Sequence, residues 1–222
     1  TSTQTYFIVI SLNPDIYAPG KKISIRTVTK NYYIVKSPNV VSTQGFSFES
    51  SEIEIKKPAS TVSVVGNSII PLSATQGAIA VSALKLDLWT DKYTAVWKRL
   101  KLTGTAIDSD ISAIKVYCDD GDDLFEPSVD PIINSGTDRF VLGMSEINLI
   151  HQQEINTSTK TYFVALDISE TANPDANCGL KIDEGAFILD TSDADERVSS
   201  YGFPITSTSM EIEPTIDTVM IT

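Results

Sequence analysis

The sequence predicts an all-β fold of tandem antiparallel β-sandwiches. Three observations carry that prediction: apolar and polar residues alternate over short segments, turn-forming residues separate those segments, and one block of sequence occurs twice.

Alternation at period two puts successive side chains on opposite faces of a strand, which identifies a sheet with one face buried. Leu84, Leu86 and Leu88 alternate with Lys85, Asp87 and Trp89. Tyr162, Val164, Leu166 and Ile168 alternate with Phe163, Ala165 and Asp167, and Tyr6, Ile8, Ile10 and Leu12 follow the same rhythm. Further strands are predicted over residues 61–65, 98–103, 112–117, 139–150, 179–189 and 205–213. Breakers lie between them at Asp91-Lys92, Asp119 to Asp123, Asn134-Ser135-Gly136 and Asn173-Pro174-Asp175. No amphipathic helix of ten or more residues is apparent. A succession of seven or eight such strands predicts an immunoglobulin-like or fibronectin-like sandwich.

The duplicated block sets the domain organisation. Residues 1–7 (TSTQTYF) return as 157–163 (TSTKTYF), with one difference. Asn13-Pro14-Asp15 matches Asn173-Pro174-Asp175, and residues 41–46 (VSTQGF) match 198–203 (VSSYGF). Ile53-Glu54-Ile55 then matches Met210-Glu211-Ile212, and residues 61–64 match 218–221. The offset is about 156 to 157 residues, except at Asn13-Pro14-Asp15, where it is 160. The expected organisation is therefore the C-terminal part of one repeat over 1–57, a complete repeat over 58–214 and the first strand of a third over 215–222. The first residues, which lack both an initiating Met and a signal-peptide pattern, read as a cut or processed start.

Seventeen Lys and Arg against 29 Asp and Glu give a formal charge of -12. Such a surface repels polyphosphate and anionic membranes and attracts cations, so nucleic acid is excluded as a partner. No apolar run reaches the length of a membrane-spanning helix, and a soluble globular chain is expected. Cys118 and Cys178 are too few for a disulfide framework, and their spacing leaves pairing open.

The densest chemistry lies in residues 118–130 (CDDGDDLFEPSVD), six carboxylates directly after a predicted strand. Ca²⁺ takes about six to eight oxygen ligands, which carboxylates spaced along a glycine-containing turn can supply. Asp120, Asp122 and Glu126 have that spacing, the carbonyl of Leu124 lies between them and Asp130 closes the loop; Asp119 stands beside them as a further ligand. A solvated acidic turn is the alternative, because charge runs commonly form hydrated surface. The loop resembles the calcium loop of immunoglobulin-like repeats in large bacterial surface proteins (S-layer, stalk or adhesin type). Residues 102–117 and 160–169 also resemble those repeats. The resemblance implies an extracellular scaffold with Ca²⁺ as its ion.

Asp108 and Asp110 could reach the same site, but capping a turn is the expected role. A second acidic run, 190–197 (DTSDADER), contains Arg197 and lacks glycine, and reads as a solvated loop. Trp89, Tyr93 and Trp97 are the residues from which a sugar-stacking platform could be built, core packing being the alternative.

His151 is the only histidine, so a catalytic triad or a histidine-rich zinc site would have to be built around it alone. No G-x-S-x-G, H-E-x-x-H or phosphate-binding glycine loop occurs. A non-enzymatic role is expected: a calcium-stiffened structural module of a secreted or cell-surface protein, whose partners are neighbouring repeats or copies of the same protein. The alternative is an adhesion module binding glycans or a protein, free-standing or appended to an extracellular hydrolase. The out-of-phase start leaves two readings of the first partial repeat: trimming of a longer protein, which is the simpler, or completion by strands from a neighbouring chain.

Overall fold

The computed structural model describes residues 5–12, 20–42, 47–56, 59–190 and 196–215. The chain divides into two compact units, Thr1–Pro58 and Ala59–Thr222. Among the described residues there is no α-helix, only short 3-10 turns at Lys30–Tyr32 and Asp108–Asp110. The protein is all-β.

The first unit holds four short strands: β1 (Lys22–Ile23), β2 (Arg26–Thr27), β3 (Phe48–Glu49) and β4 (Ile53–Glu54). β1 pairs antiparallel with β4, and β2 with β3.

The second unit is a sandwich. Its strands are β5 (Thr61–Ser68), β6 (Ser73–Thr75), β7 (Val81–Thr90), β8 (Ala95–Gly104), β9 (Ile111–Cys118), β10 (Met144–Ile155), β11 (Lys160–Ile168), β12 (Asn177–Cys178), β13 (Leu180–Ile182), β14 (Phe187–Leu189), β15 (Arg197–Val198), β16 (Ile205–Thr206) and β17 (Met210–Glu213). One sheet runs β15-β5-β7-β11-β9; the other runs β10-β8-β13-β16, with β14 also on β8. A small third sheet runs β12-β17-β6. Most pairs are antiparallel; β15 with β5 and β17 with β6 are parallel.

The core lies between the two main sheets. Leu84, Leu86 and Leu88 of β7 and Tyr162, Val164 and Leu166 of β11 belong to the same buried cluster as Trp97, Leu100 and Leu102 of β8 and Ile147 of β10. The Trp97 indole meets Tyr162 edge-on at 5.1 Å and donates its N–H to the Arg99 carbonyl at 2.8 Å, so its one polar atom is satisfied without water.

Two departures from simple alternation bear on the site. β11 is buried on both faces, because Phe163 and Ala165 on its outer side join Tyr117 in a second small core, with Ile69 and Phe125 packed on it. Phe125 belongs to the acidic loop, which therefore folds over the sheet. Residues 131–138 also close one edge of the sandwich, which would otherwise expose unpaired backbone groups. Cys118 and Ile133 join β9 to this segment through N–H donations to Pro131 and from Ile133 to Val116, at 3.0 and 2.8 Å. The Ile133 carbonyl accepts from Ile150 and His151 of β10. Buried Asn134 acts as a surrogate strand, accepting from Val116 N at 2.9 Å and donating to Ile114 O at 2.9 Å.

Several predicted strands differ from those observed. The segment 139–150 starts its strand only at Met144, because Leu142 and Gly143 both take positive φ (56° and 75°) in a tight turn. The segment 179–189 breaks at the Asp183–Gly185 turn into β13 and β14. The segment 205–213 breaks where the Ser207 hydroxyl captures the Leu180 N–H at 2.8 Å. Residues 6–12 form no strand. Their repeat counterparts in β11 are held between β7 and β9, and no such strands occur among the described residues of the first unit.

The duplicated sequence corresponds to duplicated hydrogen bonding. In the first unit Lys22 faces Glu54, Ile23 faces Ile53, Arg26 faces Glu49 and Thr27 faces Phe48. In the second, Asn177 faces Glu211, Cys178 faces Met210, Lys181 faces Thr206 and Ile182 faces Ile205. The details repeat as well. Ser50 Oγ accepts from Ile25 N and donates to Ser51 O, as Ser207 Oγ accepts from Leu180 N and donates to Thr208 O. Gly20 and Asp175, both at positive φ, donate to Ile55 O and Ile212 O. This pattern aligns Asp175 with Gly20 rather than with Asp15; the Asn13-Pro14-Asp15 match lies outside the described residues.

Candidate functional site

The acidic loop leaves the end of β9 and returns at Asp130, and its backbone is organised by its own carboxylates. Asp119 accepts from the N–H groups of Gly121 and Asp123, both at 3.0 Å. Asp122 accepts from Leu124 N at 2.9 Å. Asp130, almost completely buried, accepts from Asp120 N at 3.1 Å on one oxygen and from Glu126 N at 2.9 Å on the other. A buried carboxylate needs such partners, and these two tie the start of the loop to its end. Phe125 then anchors the loop, with its ring 5.1 Å from Tyr117 and 5.3 Å from Phe163.

This arrangement brings three of the sequence-predicted ligands together. Oxygen atoms of Asp119, Asp120 and Asp130 lie within 4.8 Å of one another, so the cluster could hold a metal ion. Each oxygen has lone pairs beyond those already used, and the donors are hard anions of the kind Ca²⁺ takes. The carboxylates of Asp122 and Glu126 lie outside this group: both residues are exposed, and Asp122 turns back on its own loop. Leu124 is exposed on the loop, with its N–H taken by Asp122.

Burial raises the Asp119 carboxyl above its ordinary range, the N–H groups of Asp123 and Gly121 work against that rise, and the charges of Asp130 and Asp122 add to it. A bound cation would reverse the last contribution.

A feature not anticipated from the sequence is a basic group within this acidic surface. Lys85, from β7, reaches Asp123 at 2.6 Å. Its ammonium is held above the usual lysine range mainly by that hydrogen bond, burial opposing it, with the charges of Asp87, Asp123 and Asp119 adding support. The Thr161 hydroxyl lies 2.8 Å from Asp87 and 3.2 Å from Asp123, so its single proton serves one at a time. These groups line an open recess of about 640 Å³ that also includes Cys118, Asp119, Gly121 and Lys160. The signal was available: Lys85 falls on the outward face of an alternating strand whose paired neighbour is Phe163.

The remaining candidates lie elsewhere. Asp108 accepts from Leu142 N at 2.6 Å and Gly143 N at 2.9 Å, capping that turn. Asp110 is fully buried and holds Asn173 through its backbone and side-chain nitrogens, at 2.9 and 2.8 Å. Asp190 pairs with Lys98 at 2.7 Å, and residues 191–195 lie outside those described. Both cysteines are free thiols, Cys178 buried and Cys118 partly so. His151 is exposed.

Trp89, Tyr93 and Trp97 do not share an open face. Trp97 is entirely buried between Tyr162 and Phe187, Trp89 is half-buried opposite Ser63 and Tyr93 sits beyond the end of β7 at φ 53°.

No protein-family model matches the chain, and no curated protein matches it. Among solved structures, a chain of a crystallised dockerin–cohesin complex aligns with 71% of this chain and 100% of its own length, at 14% identity and a TM-score of 0.30. No helix among the described residues is long and apolar enough to cross a membrane.

Proposed function

We propose that this chain is a structural repeat module of a large secreted or cell-surface protein, stiffened by Ca²⁺ and acting in surface-layer or other extracellular assembly. The convergence of Asp119, Asp120 and Asp130 is the observation that carries the calcium part of this reading. The loop holding them lies over the outer face of one sheet and leads directly into residues 131–138, which close the sandwich edge. An ion at this point ties a surface loop, a strand end and an edge segment together, and binding to the folded state adds stability by mass action. The role is mechanical and non-catalytic, and its partners are neighbouring repeats or copies of the same protein. The adhesion reading loses its aromatic platform with the burial of Trp97.

Calcium titration by calorimetry on the full chain tests the proposal. Binding should disappear in Asp120→Ala and survive in Asp122→Ala, because only the first carboxylate belongs to the cluster. Absence of binding at millimolar calcium would reduce the loop to a self-capped acidic turn.

A further inference from the structure

The two units share a hydrogen-bond pattern but not a core. Ile53 of β4 is 67% exposed, whereas its counterpart Met210 is 0% exposed. Ile8 and Ile10 are 68% and 49% exposed, whereas Val164 and Leu166, their counterparts in β11, are both at 0%. Phe7, Val9 and Leu12 are similarly open, and Phe163, Ala165 and Ile168 similarly closed. Among the described residues of the first unit none is buried. An apolar set of this size on one small unit marks an interaction surface.

The second unit specifies what covers such residues. There β11 is flanked by β7 and β9, with Val164 opposite both Leu84 and Val116, and Leu166 opposite Ile114. β13 pairs with β16 on one side and, through Leu180 and Lys181, with Gly104 and Thr103 of β8 on the other. The first unit reproduces the β13–β16 ladder as β2–β3 and the β12–β17 ladder as β1–β4, and no strand equivalent to β7, β8 or β9 occurs among its described residues.

We propose that residues 6–12 and β2 form a receptor for a polypeptide segment of this same repeat class, equivalent to residues 59–156, which completes a second sandwich by strand addition. Its β7-like and β9-like strands pair on either side of residues 6–12, with Ile8 facing the counterparts of Leu84 and Val116. Its β8-like strand pairs with the open side of β2. The pairing uses main-chain hydrogen bonds for affinity and the alternating Ile8 and Ile10 for register. This inference rests on the repeat organisation and is independent of calcium.

The test grafts a second copy of residues 59–156 directly ahead of Thr1 in the full chain and follows amide exchange, in a buffer where the amides of β11 are protected. Protection at β11 serves as the internal standard for a folded repeat. In the ungrafted chain residues 6–12 should exchange freely; in the grafted chain they should slow by at least about a hundredfold, as expected of core strands. Placing Leu84→Lys and Val116→Lys in the grafted copy alone should abolish that slowing while β11 stays protected. The proposal is overturned if residues 6–12 exchange equally fast in both chains. It is also overturned if the ungrafted chain already protects them and sediments as a dimer, since a second whole copy is then the occupant.

Discussion

Removing the negative charge of Asp120 should stabilise the protein in chelator and weaken it in calcium. The three carboxylates have oxygens within 4.8 Å of one another. At that separation each pair repels by about 0.9 kcal/mol at the dielectric of water and about 3.5 kcal/mol at an effective dielectric near 20. Asp120 is exposed, so the lower figure applies, and physiological salt roughly halves it. Two such pairs involve Asp120, and Asp120→Asn should therefore raise stability by about 1 kcal/mol without an ion. No hydrogen bond among the described residues rests on its carboxylate; its backbone N–H bond to Asp130 remains. In a unit of this size that corresponds to about 2 to 4 °C in Tm. With calcium the sign inverts: a hundredfold loss of affinity from a missing ligand removes about 2.7 kcal/mol of stabilisation at saturation, leaving the variant about 2 kcal/mol below the parent. Thermal unfolding of both proteins, with chelator and with millimolar calcium, reads all four values. A variant less stable than the parent in chelator would refute the repulsion argument, and curves that calcium leaves unmoved would refute the site.

Three further outcomes are expected. Phe125→Ala should cost about 2 kcal/mol, below the 3 to 5 kcal/mol of a fully buried ring because Phe125 is only partly covered, and should speed amide exchange through 119–130; unchanged exchange would mean that the carboxylate network alone holds the loop. Gly66→Ala should destabilise by about 1 to 3 kcal/mol, since a Cβ there would lie 2.2 Å from Ile205 Cγ2, and it should cost less in an Ile205→Ala background, where that carbon is gone. Burial pushes the Cys178 thiol up to about 11 from an ordinary value of 9.0. Its neutral form is the one the folded state favours, so its contribution is complete below pH 9.0 and is lost as pH rises through 11. Denaturant titrations between pH 8 and 11 on the parent and Cys178→Ala should converge as pH rises, and thiol labelling at pH 8 should leave Cys178 unmodified until unfolding.

Strand periodicity located β5, β7, β8, β9 and β11 because each presents an apolar face to a single core, and period two is a local property of the chain. The acidic loop was visible for the same reason, as a run of like charges. The ligand set was less legible. Asp119, Asp120 and Asp130 meet because Asp130 is carried back under the loop by the turn at Glu126, where Val129 and Asp130 both donate to the Glu126 carbonyl at 2.8 Å. Spacing alone could not distinguish that path from one that gathers Asp122 and Glu126. The aromatic trio shows the same limit: Trp89 and Trp97 fall on consecutive strands that belong to opposite sheets, and the face each side chain takes puts Trp97 in the core and leaves Trp89 half-buried.

By itself the sequence determined the all-β class, the acidic surface and the duplication of one block of residues, since composition, alternation and self-similarity are properties of neighbouring residues or direct comparisons along the chain. Tertiary structure alone decided that Lys85 enters the acidic recess, that Phe125 fastens the loop to Tyr117 and Phe163, and that residues 131–138 close the edge between β9 and β10. It also decided that the same strand ladders are covered in one unit and open in the other. Those outcomes depend on which distant segments become neighbours, and burial is a property of what lies across a face rather than of the residues that form it.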